Sequence, residues 1–389
     1  MRVLVVDTYY PSFLGARYTA ESDLSARSYA DQLSALIESS FGTSDAYSRH
    51  LRRLGSEATE VVANCEPLQR RWLRERGARR SRGGRLLADR LTPGPRRRLL
   101  RRILTAQIED YRPDVLYVQD PWFTDVRTLD DARRRGALVV AQIASPPPAP
   151  EHLRHFDLIL TSFPHYVDRF RALGVASEYL RIGFDEAVPA RLERLGVSTA
   201  PDAPRPHAAS FVGGLDPRVH AAGTALLERA CAQVELQVWG YGASALAPSS
   251  AILPRYRGEA WGLDMYSVLA RSRIALNRHI DAAEGHANNM RLYEATGAGA
   301  LLLTDQGSNL GDLFEPGREI VTYESADDLI EKLRHFDANE EERLRIASAG
   351  KARTFAEHTY ADRIAELNSI LADRLERRTR KAASQTSLA

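Results

Sequence analysis

Asn288, Asn289, Arg291 and Glu294 fall within one short stretch, NNMRLYEA, that leads into TGAGALLLTD. An asparagine at a helix start accepts from the open N–H groups of the first turn. A helix amino end with an arginine beside it attracts phosphate, through its dipole and its free amides. A carboxylate a turn further in can accept from both hydroxyls of a ribose. Asn289, Arg291 and Glu294 are therefore expected to hold a nucleoside diphosphate. The same spacing also fits an Arg291–Glu294 ion pair at i,i+3 on an ordinary helix.

Three further loops carry suitable residue types. Gly213-Gly214-Leu215-Asp216-Pro217-Arg218 offers glycines that let backbone N–H groups approach a phosphate, with Arg218 supplying charge. Trp239-Gly240-Tyr241-Gly242 can shape a base pocket, unless Trp239 simply packs in the core. Asn277-Arg278-His279 and Glu284-Gly285-His286 form a polar loop able to meet a sugar. In the first half, Asp7, Asp120 and His165 carry groups able to take up a proton, as a catalytic base would. Asp120 is the best placed, although capping the turn at Pro121 is the favoured reading for it. Tyr9, Tyr10, Trp122 and Phe123 suit stacking on a flat acceptor.

Strands must place these loops. RVLVV (from Arg2), ATEVVA, DVLYVQD, Leu138–Ile143, Leu158–Thr161 and Glu178–Ile182 read as strands, with helical stretches between them. TYYPSFLG reads as a loop broken by Pro11 and Gly15. Pro189 to His207 holds four prolines and reads as a linker. A second set follows: Ala208–Val212, Leu236–Trp239, Ile274–Asn277, Ala300–Thr304 and Glu319–Tyr323. Gly297 and Gly299 end the helix that starts at Asn288 or Asn289. Such alternation predicts an α/β fold of two doubly wound parallel sheets, with ligands beyond the carboxyl ends of the strands. The expected division is residues 1–190, then 205–359, a helix at about 360–376 that returns to the first domain, and a disordered tail at 377–389.

The 389 residues are 44% hydrophobic and 27% charged, an ordinary globular balance, and the net charge of +2 implies neither nucleic acid nor membrane. Fourteen arginines crowd residues 70–102. They can grip an anionic acceptor, a membrane surface or RNA, but a solvated helix pair is the favoured reading, and no aromatic stacking pattern interleaves for RNA. Cys65 and Cys231 match no metal or redox spacing, so they read as reduced thiols of a cytoplasmic protein. MRVLVVDTYYP does not read as a signal peptide, and no apolar run is long enough for a membrane span.

The order of features in the second half resembles the GT-B glycosyltransferases of the group-1 superfamily, most closely the CgeB-type, spore-maturation-protein-like branch. The matching residues are Phe211-Val212-Gly213-Gly214, Tyr256-Arg257-Gly258, Asn289 to Ala295, Gly297, Gly299, Leu303-Thr304-Asp305 and Leu313 to Glu319. The resemblance covers about Phe211 to Tyr360 and implies a GT-B fold, two Rossmann-like domains facing a cleft. By that resemblance Glu294 holds the ribose, Arg218 and Arg291 neutralise the diphosphate, Arg257 and Gly258 lie beside the base, and the first domain takes the acceptor. Many retaining relatives have a second glutamate ahead of this one, with seven residues between the two; His286 stands at that position instead and is carried, with Asp120, as a candidate catalytic group. A lysine common after the phosphate arginine is also absent, with Val219-His220-Ala221 in its place.

The expectation is thus a glycosyltransferase that moves a sugar from a nucleoside-diphosphate sugar (UDP, GDP or dTDP) to a small-molecule or polymeric acceptor. It is expected to be retaining, to need no cofactor and, lacking a DxD motif, no metal. A nucleotide-sugar 2-epimerase on the same fold, or a non-catalytic nucleotide-binding or interaction protein, are the rival readings.

Overall fold

The computed structural model describes residues 1–79, 96–287 and 289–386. The chain divides into two compact units, Met1–Leu180 with Arg363–Ala389, and Arg181–Asp362. Residues 80–95 of the arginine-rich stretch and the cap candidate Asn288 lie outside the described residues.

Unit 1 runs β1 (Arg2–Asp7), α1 (Pro11–Ala20), α2 (Tyr29–Glu38), α3 (Ala46–Arg53), β2 (Glu57–Val62), α4 (Glu66–Arg79), α5 (Arg96–Tyr111), β3 (Val115–Val118), α6 (Val126–Arg134), β4 (Leu138–Gln142), α7 (Pro150–Leu153), β5 (Leu158–Thr161), α8 (Pro164–Ala172) and β6 (Ser177–Tyr179). Its six strands are parallel, in the order β2-β1-β3-β4-β5-β6. β3 (VLYV) and β5 (LILT) are mainly apolar and buried at every residue, as a parallel sheet covered by helices requires.

Unit 2 runs α9 (Val188–Glu193), β7 (His207–Val212), α10 (Ala221–Cys231), β8 (Leu236–Trp239), α11 (Leu263–Ala270), β9 (Ser272–Leu276), α12 (Met290–Gly297), β10 (Leu301–Asp305), β11 (Val321–Tyr323), α13 (Ala326–Ala338) and α14 (Glu340–Glu357). Its five strands are parallel, in the order β11-β10-β9-β7-β8. α15 (Tyr360–Thr386) begins in this unit and continues as part of unit 1. Ile364, Leu367 and Leu371 on it are fully buried.

Local chemistry explains where the elements differ from the sequence reading. TYYPSFLG is no loop: Pro11 sits in the first turn of α1, where its missing N–H costs nothing, and Leu14 donates to the Tyr10 carbonyl at 3.0 Å. The expected linker from Pro189 opens in the same way. Pro189 lies in the first turn of α9, and Val188, Leu192 and Val197 enter the core beneath α11 and α12. That segment is therefore part of unit 2, tied down further by Arg205 donating to the Ala270 carbonyl at 2.7 Å. The last helix runs to Thr386, past the expected end near 376 and through residues read as a disordered tail. Among the described residues no helix is long and apolar enough to cross a membrane.

α12 ends as expected. Gly299 adopts φ +82°, its N–H donates to the Thr296 carbonyl at 2.9 Å, and the Ala300 N–H donates to the Ala295 carbonyl at 3.0 Å. Those two bonds satisfy carbonyls that the helix end would leave open.

Candidate functional site at the carboxyl edge of the second sheet

The strand order of unit 2 reverses direction between β7 and β9. The chain leaves β7 towards β8 on one side and leaves β9 towards β10 and β11 on the other. A crevice opens at such a switch point, outside the carboxyl ends of the strands. The loops flanking it are residues 213–220 and 277–289.

The first loop is held against the loop after β8. Gly213 donates to the Trp239 carbonyl at 3.1 Å and Leu215 to the Tyr241 carbonyl at 2.9 Å. A side chain at Gly240, which has φ +146°, would lie 1.7 Å from the Gly213 carbonyl oxygen. Gly214 similarly makes room for His220, the cap residue of α10: a Cβ there would lie 2.3 Å from its Nε2. His220 thus occupies the start of α10, in the segment where the sequence lacks a lysine. Arg218 is 79% exposed and turns back on its own loop, bonding both oxygens of Asp216 at 2.6–3.2 Å. This guanidinium holds the Asp216 carboxyl down to about 2.

On the other side, α12 is joined to β9 through Asn289. Its side-chain amide donates to Asn277 Oδ1 at 2.8 Å and to the Arg278 carbonyl at 3.3 Å. Asn289 is the cap residue by position but makes no side-chain capping bond, which corrects the expected role. Its amide hydrogens are committed to the strand end instead. Asn277 in turn donates to Thr304 Oγ1 at 2.9 Å, and Tyr323 donates to the Asn277 carbonyl at 3.0 Å. The loop that follows is pinned by Asn309, which bonds both the N–H and the carbonyl of Ala287.

Arg291 and Glu294 are brought together as an ion pair at 2.8 Å, with side chains only 14% and 7% exposed. The i,i+3 alternative allowed by the sequence is thus realised, but inside the protein. Arg291 also donates to the Val212 carbonyl at 3.1 Å, tying α12 to the end of β7. Burial raises the Glu294 carboxyl above its usual range, while Arg291 and a hydrogen bond from Tyr266 oppose the rise.

The aromatic residues are arranged differently from the expectation. Trp239 is buried with Val212, Ala260 and Val268, so it packs in the core. Tyr241 instead stacks on Trp261, with ring centroids 5.6 Å apart and planes 16° apart, and both are half-buried. Trp261 was not legible as a site residue, although its place beside Gly262 was a signal of a turn. Arg257 is exposed and donates to the Pro254 and Tyr256 carbonyls, while the Gly258 carbonyl accepts from Gly240 at 3.0 Å. His286 lies in the β9–α12 loop, its Nδ1 3.3 Å from the Ala283 carbonyl.

Asp120 belongs to unit 1, at the equivalent switch point between β1 and β3. Thr8 bridges the two strand ends there: its amide donates to Asp7 at 2.7 Å and its hydroxyl to Asp120 at 2.6 Å. Asp120 also accepts from the Trp122 amide at 3.0 Å, the turn cap that competes with a catalytic role. Burial and the nearby Asp120 push Asp7 up to about 7. Tyr10 and Trp122 are exposed, but Tyr9 and Phe123 are buried and cannot stack on an acceptor. His165 packs with the Phe163 and Tyr166 rings.

No curated protein sequence matches the chain. Solved structures share the fold along almost its whole length. The chain is similar to Anabaena HepE in complex with UDP-glucose, at a TM-score of 0.56 and 13% identity over 97% of this chain and 99% of that one. It is similar to sucrose-phosphate synthase from Thermosynechococcus elongatus, at 0.55 and 11% over 97% and 99%. A putative UDP-N-acetylglucosamine 2-epimerase from Listeria monocytogenes matches at 0.53 and 12%, over 97% of each chain. Residues 220–369 match the family model described as glycosyl transferase-like. The segment that carries most of the switch-point site is thus glycosyltransferase-like in sequence, on a GT-B fold.

Proposed function

We propose that the protein is a glycosyltransferase that takes a sugar from a nucleoside diphosphate. The observation that supports this best is the switch point itself. A glycine-backed loop, the start of α10 and the Asn289–Arg291 end of α12 stand at it, and the two helix starts lie within the segment of glycosyltransferase-like sequence. Diphosphate would bind at these helix starts, as anions do. The Tyr241–Trp261 stack offers a flat face for a base, a better platform than the buried Trp239. Glu294 would take the ribose, with Arg291 beside it opposing the upward push of burial on its carboxyl. Transfer would retain the anomeric configuration and use no metal, as in the CgeB-like branch the motifs resemble. The acceptor would lie at the switch point of unit 1, near Thr8, Asp120 and Trp122.

Calorimetric titration with UDP, GDP and dTDP tests the reading. One of the three is expected to bind, and Glu294→Gln to weaken it by about 1.5–3 kcal/mol, the range for a hydrogen bond to a charged group. Because Gln leaves Arg291 buried without its counter-charge, thermal unfolding must accompany the titration. A folded wild-type sample that binds none of the three would overturn the proposal.

A further inference from the structure

His279 follows β9 and Asp305 ends β10, so both stand at the carboxyl edge beside the crevice. The backbone N–H of His279 donates to both Asp305 oxygens, at 3.0 and 3.1 Å, and its Nδ1 lies 2.7 Å from Asp305 Oδ1. The imidazole is 6% exposed. Its other nitrogen, Nε2, is buried and has no hydrogen-bond partner among the described residues. One residue back along the chain, the Arg278 carbonyl accepts from Asn289, whose Oδ1 is likewise buried without a partner. A buried polar atom left unmatched keeps the full penalty of its lost hydration, so two of them at one edge call for an occupant.

The chemistry of the occupant follows from which atoms are open. A carboxylate only accepts, so the Nδ1 facing Asp305 carries the hydrogen. A neutral imidazole then presents a bare lone pair at Nε2. Asn289 turns its amide hydrogens to Asn277 Oδ1 and to a backbone carbonyl, which leaves Oδ1 open. Asn289 Oδ1 only accepts, and so does Nε2 when the imidazole is neutral. A phosphate oxygen cannot satisfy Oδ1, whereas a sugar hydroxyl can donate to both atoms. We propose that His279, oriented by Asp305, accepts a hydrogen bond from a hydroxyl of the donor's sugar, with Asn289 Oδ1 taking a second. This rests on the nucleotide-sugar reading above and assigns the sugar end of that site.

Two substitutions separate this role from a structural one. In His279→Asn the side-chain amide can occupy the place of Nδ1, keeping the bond to Asp305 and deleting the open nitrogen. In His279→Gln a polar atom reaches the place of Nε2, while the Asp305 bond is lost. Dissociation constants would be measured for UDP, GDP and dTDP, and for UDP-glucose, UDP-galactose, UDP-N-acetylglucosamine, GDP-mannose and dTDP-glucose. The gain of the best conjugate over its bare nucleotide reads the sugar contact. His279→Asn is expected to bind the bare nucleotide within about twofold of wild type and to lose about 10-fold in the conjugate, as for one hydrogen bond. His279→Gln is expected to keep more of that gain. The inference is overturned if His279→Asn keeps the gain, if only His279→Gln loses it, or if wild type binds a nucleotide but no conjugate more tightly. If wild type binds no nucleotide, the functional reading falls first and takes this one with it.

Discussion

Glu60 lies on β2 with 6% of its surface exposed and accepts from the Ser48 amide at 3.0 Å. Burial pushes its carboxyl up to about 8, with Asp7 and Asp45 adding to the rise and Ser48 opposing it. An unfolded glutamate ionises near 4.5. Between those values the folded state holds the extra proton, so this group's contribution to stability is complete below about 4.5 and is lost as pH rises through 8. Glu60→Gln, which never ionises, is expected to gain melting temperature over wild type as pH increases across that window, and to match it near pH 4. Parallel melting curves from pH 4 to 9 check this. A constant offset between the two proteins would show that Glu60 is ionised in the fold throughout. None of this was legible in the run ATEVVA, where a glutamate reads as an outward-facing residue; its cover comes from α3, which a strand pattern does not reveal. Trp239 was a similar case. Its residue type suggested a base platform, but its placement on β8 turns it into the core. His279 and Asp305 are 26 residues apart, and only the parallel pairing of β9 with β10 brings them together.

Elements were read more securely than residues wherever a strand was a continuous apolar run. Leu158–Thr161 and Leu236–Trp239 have their expected bounds, because few other structures suit such short buried segments. The two helices opening with Pro11 and Val188-Pro189 were not recognised, since proline marks a turn and a helix start alike. The glycines after the strands were read as letting a phosphate approach; what comes close to Gly240 and Gly214 in the structure is the Gly213 carbonyl and the His220 ring. Gly240→Ala is expected to push the loops after β7 and β8 apart, because its Cβ would overlap the Gly213 carbonyl and φ +146° disfavours any side chain. The expected result is a loss of nucleotide affinity of at least 10-fold in a protein that still shows native helix content by circular dichroism. Unchanged affinity would mean that the Gly213 loop takes no part in binding.

The two parallel sheets followed from the alternation of strands and helices, but the boundary between the units did not: it falls at Leu180–Arg181, where the sequence reading put it between 190 and 205. Unit 1 is discontinuous, closing with Arg363 onwards after unit 2 is complete. Arg374 pairs with Glu178, and Arg378 donates to the Ala137 carbonyl at 2.8 Å. Leu367→Ala on α15 is expected to cost unit 1 about 2–5 kcal/mol in denaturant unfolding, as for other buried leucines. Nucleotide affinity, a property of unit 2, is expected to stay within about twofold. A folded variant with much weaker binding would count against placing the nucleotide in unit 2.

That discontinuity has a consequence for synthesis on the ribosome. Domains usually fold in the order in which they emerge. Here the first 180 residues emerge first but lack the helix that buries Ile364, Leu367 and Leu371. Unit 2, continuous in sequence, has all its strands before unit 1 receives its last helix. The nascent first unit therefore waits with an open apolar groove while the second is being made, and that interval is when a chaperone would find it.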